Sequence, residues 1–174
     1  MDDESRNSIA DHPEAKTLAE EIVNTVREPM HSPAPTEIPP GAPGEQISVA
    51  RILLAEDEPI IREMITLLLK SRGWRTETVG SGRDALRKWE EDRFDLILMD
   101  LQMPEMNGFE ATLAIRGREA AGDRHTCIVG LTAHAGREIR EECLKSGMDM
   151  VLIKPVRMEE LFSAIEGCLS DRKV

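Results

Sequence analysis

The sequence contains no tyrosine, and its rings are confined to Trp74, Trp89, Phe94, Phe109 and Phe162, so any core must be packed chiefly from aliphatic side chains. Positive charge is also scarce. Twenty-two Lys and Arg face 33 Asp and Glu, a formal net of −11. Phosphate backbones and anionic leaflets are held by clustered cations, so neither nucleic acid nor a membrane surface is expected as a partner. No apolar run approaches the ~18 residues that cross a bilayer. The opening MDDESRNSIADH is acidic and lacks the apolar stretch of an export signal. Cysteines number only three, Cys127, Cys143 and Cys168, far apart and among apolar neighbours. That pattern predicts reduced, packed thiols rather than a disulfide or zinc framework. These absences together predict a soluble cytoplasmic protein.

What is present divides the chain in two. Its 174 residues suit one domain with an appendage. Seven of the ten prolines precede residue 49, six of them within PMHSPAPTEIPPGAP at 29–43. Proline fixes φ and lacks an N–H, so this stretch reads as an extended, solvated linker. Upstream, Leu18, Ile22 and Val26 recur every fourth residue, which predicts an amphipathic helix over residues 14–27. A helix that short is marginal alone, so it either docks or stays largely unfolded. Residues 1–48 hold ten acidic and three basic groups, a net of −7, leaving −4 for residues 49–174. Most of the charge excess thus belongs to the tail, and the domain begins at about residue 49.

Beyond that boundary, short apolar runs alternate with segments of helical spacing. Ile52–Leu54, Leu96–Met99, Ile128–Leu131 and Val151–Ile153 are continuous, as strands buried on both faces of a parallel sheet are. A fifth strand at Arg75–Val79 alternates, which predicts an edge or a half-exposed place. Helices are predicted from Pro59 to Gly73, after Ser81, at about 108–120 and 136–146, and at 157–169. Ser81 with Asp84 resembles a capping box that has Asp in place of Glu. The sum is a doubly wound (βα)5 α/β sandwich of the flavodoxin-like kind, with a five-stranded parallel sheet. In such folds the site lies outside the C-terminal ends of the strands.

That rule selects Glu56 and Asp57 after the first strand, Asp100 at the end of the third, Thr132 at the end of the fourth, and Lys154-Pro155 after the fifth. Three acids converging on one edge repel unless a cation is present, and a hard divalent ion with oxygen ligands, Mg²⁺ by preference, is the economical answer. A carboxylate beside that ion can act as a nucleophile toward phosphorus and form an acyl phosphate. Phosphoryl transfer then needs little from the protein except positioning and charge neutralisation, which Mg²⁺ and Lys154 supply, while Thr132 can donate to a phosphoryl oxygen.

The set Glu56-Asp57, DLQMPEMNGFE from Asp100, LTAHA around Thr132 and Lys154-Pro155 resembles the receiver domain of two-component response regulators, and most closely those attached to hybrid sensor kinases. The resemblance covers residues 50–171. It implies that Asp100 is the phosphoacceptor, that Glu56, Asp57, Asp100 and the backbone carbonyl of Gln102 hold Mg²⁺, that Thr132 is the conformational switch and that Lys154 pairs with the phosphate. It implies a cis peptide at Pro155, and turn-forming roles for Pro104 and Gly108. Gln102 and His134, each two residues past a site residue, should border the phosphoryl group, with His134 at the rim. One departure stands out: many receivers carry Tyr or Phe three residues before the lysine, and here that residue is Val151. The implied donor is a phosphohistidine on a sensor histidine kinase or a histidine phosphotransfer protein. The architecture is either a single-domain response regulator or the receiver module of a hybrid kinase.

Other functions fit less well. An interaction module independent of phosphorylation would not need Asp100 or Lys154. An aspartyl-nucleophile phosphatase with Mg²⁺ needs a second acid two residues after the nucleophile, where this chain has Gln102. A flavin binder of the same topology needs stacking rings and tolerates few carboxylates. No nucleotide-binding loop of the GxxxxGK[ST] type is present, so ATP is not the expected direct donor.

Overall fold

The computed structural model describes residues 49–120, 122 and 125–170, so the proline-rich stretch and the helix expected at 14–27 lie outside the described residues. Strands and helices alternate as β1 (Arg51–Ala55), α1 (Pro59–Ser71), β2 (Arg75–Val79), α2 (Gly82–Glu91), β3 (Leu96–Asp100), α3 (Gly108–Glu119), β4 (Cys127–Thr132), α4 (Arg137–Lys145), β5 (Met150–Ile153) and α5 (Met158–Ser170). The strands pair in parallel in the order β2-β1-β3-β4-β5, giving the expected doubly wound sandwich.

The absence of alternation in the central runs follows from the two layers. Ile52 and Leu54 of β1 and Leu96 and Leu98 of β3 face α1 and α5, packing with Ile65, Leu69, Leu161 and Ile165. Their neighbours Leu53, Ile97 and Met99 face α2, α3 and α4, among Ala85, Trp89, Ala111, Ile115 and Cys143. Both faces are covered, so every strand position prefers an apolar residue. The alternating β2 is an edge strand, as its pattern predicts. The run at β5 misleads, because β5 is the other edge: Val151 and Leu152 are half-buried and Ile153 is 46% exposed. An apolar run reports affinity for a surface and does not count the strands beyond it.

Two local expectations are corrected. The Ser81 hydroxyl accepts the Asp84 N–H at 3.1 Å and donates to the Asp84 carboxylate at 3.0 Å, so Asp, one methylene short, meets the hydroxyl instead of the backbone. The reciprocal capping box forms at α3, where Asn107 accepts from the Glu110 N–H at 2.9 Å and Glu110 accepts from the Asn107 N–H at 3.0 Å. The second correction concerns cysteine. Cys127 and Cys168 are joined as a disulfide across 41 residues, which overturns the reading of three reduced thiols. The first residue of β4 lies beside the last turn of α5, with Cα atoms 6.1 Å apart, a juxtaposition that spacing along the chain does not reveal. Cys143 is free and buried, and burial pushes its thiol above the usual range.

At the N-terminal end of the sheet, Arg116 of α3 ties several elements together. Its guanidinium donates to the carbonyls of Thr126 at 2.9 Å and Gly147 at 2.8 Å, and pairs with Glu119 and with Asp149 at 2.7 Å. Glu119 in turn accepts the Thr126 N–H at 2.6 Å, and Asp149 accepts the Ile128 N–H at 2.8 Å. One end of α3 is thereby locked to the start of β4 and the approach to β5.

Candidate functional site

Strand register assembles the site. Ala55 of β1 pairs with Met99 of β3, so Glu56 and Asp100 are consecutive continuations of adjacent strands. Asp100 pairs with Leu131 of β4, and Thr132 pairs with Ile153 of β5. The Lys154 N–H then donates to the Thr132 carbonyl at 2.7 Å, extending the ladder by one residue. Glu56, Asp100, Thr132 and Lys154 therefore stand at neighbouring strand ends, on the edge where the strand order reverses between β1 and β3.

Side-chain geometry brings the acids together. One carboxylate oxygen from each of Glu56, Asp57 and Asp100 lies within 4.8 Å of the others. Glu56 and Asp100 are buried, at 1% and 4% exposure, while Asp57 is exposed. The Lys154 ammonium bridges the two buried acids, at 2.6 Å from Glu56 Oε2 and 2.9 Å from Asp100 Oδ2. The Gln102 N–H donates to the other Asp100 oxygen at 3.2 Å, and the Glu58 N–H to Glu56 Oε1 at 3.4 Å.

One cation against three anions leaves the cluster short of neutrality. Two unit charges about 5 Å apart repel by roughly 3 kcal/mol at an effective dielectric of about 20. Burial lifts the Glu56 carboxyl above the usual range and the Asp100 charge adds to it, against the hydrogen bond from Lys154. Burial alone would lower the Lys154 ammonium, but hydrogen bonds to Glu56 and Asp100 outweigh it and hold the group above the ordinary lysine range. A compact, all-oxygen set that is excessively negative suits a hard divalent cation, so Glu56, Asp57 and Asp100 could hold Mg²⁺.

The remaining predicted residues fall around this cluster. Thr132 is buried at 3% exposure, and its hydroxyl accepts the His134 N–H at 3.1 Å, while His134 is exposed. Gln102 is exposed beyond Asp100. The Lys154–Pro155 peptide is cis. Val151, half-buried, pairs with Gly130 in the ladder and packs with the α2–α3–α4 layer. In the loop after Asp100, the Met106 N–H reaches the Pro104 carbonyl at 2.8 Å and Glu105 takes a left-handed φ of 66°.

Two contributions escape a reading of residue types. Gly108 does not turn the chain with positive φ; it opens α3 hard against the end of β3. A Cβ there would lie 2.2 Å from the Asp100 carbonyl oxygen, while its own N–H donates to the Leu101 carbonyl at 3.1 Å. Gly108→Ala is accordingly expected to destabilise the fold by about 1–3 kcal/mol, the usual penalty for overpacking, as read by urea denaturation. An unchanged midpoint would show that α3 retreats freely. The second contribution is Arg62 of α1, which donates from Nη1 to the carbonyls of Glu56 at 2.7 Å and Asp57 at 3.2 Å. In the sequence it is one more charge on an amphipathic helix, and only its place six residues after Glu56, one turn into α1, hints that it can reach back.

Comparison with known proteins agrees with this geometry. The family model for the response regulator receiver domain matches residues 52–166. A hybrid signal transduction histidine kinase I of Dictyostelium discoideum is 37% identical over 127 residues, covering 70% of this chain and 7% of that protein. The sensor protein GacS of Pseudomonas syringae pv. syringae is 38% identical over 116 residues, covering 66% of this chain and 13% of that protein. The chain thus spans a small fraction of the length of these relatives. Among solved structures, the receiver domain of a sensor histidine kinase from Pseudomonas aeruginosa PAO1, with a magnesium ion coordinated in its active-site cleft, is 37% identical with a TM-score of 0.65, covering 71% of this chain and 99% of that one. The receiver domain of a Saccharomyces cerevisiae response regulator, co-crystallised with a histidine phosphotransfer signalling protein, is 28% identical with a TM-score of 0.67, covering 72% of this chain and 92% of that one.

Proposed function

The chain belongs to the response regulator receiver family of two-component phosphorelay signalling, and from that premise we propose that it takes a phosphoryl group from a phosphohistidine onto Asp100. The observation that carries the reading is the convergence of a buried nucleophilic carboxylate, two further acids and a lysine on adjacent strand ends. Glu56, Asp57, Asp100 and the backbone carbonyl of Gln102 would hold Mg²⁺, which when bound neutralises charge on the phosphoryl oxygens. An Asp100 carboxylate oxygen bonds to phosphorus as the phosphorus–nitrogen bond of the donor breaks, and that electron pair stays on the donor imidazole. Lys154, already within ion-pair distance of Asp100, pairs with the new phosphoryl group, and the Thr132 hydroxyl donates a hydrogen bond to one of its oxygens.

The donor is a sensor histidine kinase or a histidine phosphotransfer protein, a reading supported by the complex in which the yeast receiver is found. The role is that of residues 49–174, with residues 1–48 outside the module. The similarity to hybrid kinases favours a receiver module of such a kinase over a single-domain regulator. A phosphorylation-independent module is disfavoured because the acceptor and lysine are both in place, and a phosphatase because Gln102 offers no second acid. Incubation of the full chain with acetyl phosphate and Mg²⁺, followed by intact mass, tests the assignment: one added phosphoryl group is expected.

The response to phosphorylation should be muted. With Val151 in place of a ring on β5, no aromatic can swing inward beside Thr132, so the change must travel through Thr132, the loop after it and α4. Backbone NMR shifts on adding beryllofluoride with Mg²⁺ are expected to concentrate around Asp100, Thr132 and α4. Shifts spread over the whole of β4 and β5 would refute the muted switch.

A further inference from the structure

The acidic pair of the site stands on a loop, and a loop needs something to hold it. After Ala55 the chain leaves the β1–β3 ladder; the Glu56 N–H keeps one bond, to the Val79 carbonyl at 3.1 Å, and the next residues run exposed into Pro59, which has no N–H to give. The carbonyls of Glu56 and Asp57 are claimed by one group. Half-buried Arg62 sends Nη1 to both, at 2.7 Å and 3.2 Å. The same nitrogen lies 3.6 Å from where a Cβ on Gly80 would stand, so the arm passes between the loop after β1 and the loop after β2. Its helix is fixed behind it, since Ile65 and Leu69 are buried in the α1–α5 layer and the Thr66 hydroxyl holds the Arg62 carbonyl at 2.7 Å.

We infer that Arg62 is a positioning residue for the metal site: by holding two successive peptide carbonyls it sets the direction in which the Glu56 and Asp57 carboxylates project toward Asp100. This rests on the reading that the cluster takes Mg²⁺. Two effects of Arg62 on the ion oppose each other, which makes the inference decidable by sign. As a cation beside the cluster it repels Mg²⁺, so deleting the charge alone would tighten binding. As a clamp on the ligand loop it favours Mg²⁺, and groups that orient metal ligands typically contribute about 10–100-fold in affinity. The clamp should win, because both hydrogen bonds act directly on the ligand-bearing peptides whereas a half-buried guanidinium is partly screened.

The test is titration of the full chain with MgCl₂ by isothermal calorimetry, on the parent, Arg62→Met and Arg62→Lys. Arg62→Met keeps the apolar stem and loses both donors; it is expected to bind Mg²⁺ about tenfold more weakly. Arg62→Lys keeps the charge, but a single ammonium cannot reproduce the guanidinium geometry, so a smaller loss in the same direction is expected. Both variants should need more Mg²⁺ than the parent to reach half of their own maximal rate of phosphorylation by acetyl phosphate. Equal or tighter Mg²⁺ binding by Arg62→Met in a parent that does bind would overturn the positioning role and leave the proposed function standing. If Arg62→Met fails to fold, Arg62→Lys decides alone, since parental affinity there would reduce Arg62 to its charge. A parental Mg²⁺ requirement for phosphorylation in Arg62→Met would also overturn the assignment. A parent that takes no Mg²⁺ would sink the proposed function and this inference together.

Discussion

Asp100→Asn is expected to take up no phosphoryl group from acetyl phosphate or from a phosphohistidine donor, where the parent takes up one. In the proposed transfer the carboxylate oxygen is the nucleophile, and a neutral amide oxygen is too weak a nucleophile to replace it. The exchange is nearly isosteric, and the amide oxygen can still accept the Gln102 N–H that Asp100 accepts at 3.2 Å. The fold should therefore persist, and in the absence of Mg²⁺ it should gain stability, since one of three mutually repelling charges within 4.8 Å has been removed. Intact mass and a urea melt on the same sample check both parts. A variant that is still phosphorylated to the parental extent would move the acceptor away from Asp100.

Lys154→Met is expected to lower the metal-free stability at pH 7 by about 3 kcal/mol, because it leaves two buried carboxylates without their shared cation. The lower end of the range for broken buried pairs is appropriate, since the lysine side chain retains 17% exposure. The pH dependence has a definite sign. Glu56 already titrates above the ordinary glutamate range when folded, so the folded state binds more protons than the unfolded one across the window between the two values. Stability from this group consequently falls as pH rises from the ordinary glutamate value through the raised one. Without Lys154 the window extends further upward, so the defect should be full at pH 7 and shrink toward acid pH, where Glu56 protonates. Added Mg²⁺ should restore part of the loss at neutral pH, because it binds the folded cluster and not the unfolded chain. Urea denaturation at neutral and acid pH, with and without Mg²⁺, reads all of this. A defect that grows toward acid pH would show that Lys154 stabilises by something other than these charges.

Much of the site was legible because chemistry and topology point to the same places. The buried strands β1, β3 and β4 must be apolar throughout, so the first polar residue after each run stands out, and in a parallel sheet those residues share an edge. What remained hidden depends on approach between segments. Cys127 and Cys168 are adjacent only because α5 crosses back to the start of β4. Gly108 reads as a turn residue until the Asp100 carbonyl is found where its side chain would be. Arg62 reads as surface charge until the helix turns it toward the carbonyls of Glu56 and Asp57. Val151 to Ile153 erred in the other direction, because apolar residues at an edge strand are indistinguishable by type from those at the centre.

The two fastenings of α3 have a mechanical consequence. At its start, Gly108 rests against the Asp100 backbone with no room to spare; toward its other end Arg116 and Glu119 are bonded to the start of β4 and to the loop before β5. On α4, by contrast, Cys143 is the one fully buried residue, and the rest of its surface is mostly charged and exposed. α3 and α4, on the same face of the sheet, therefore differ in how firmly they are held, as a hinge plate differs from the door it carries. A phosphoryl group added to Asp100, as proposed, would meet a firmly held α3 and a loosely held α4, so the displacement is expected on the α4 side.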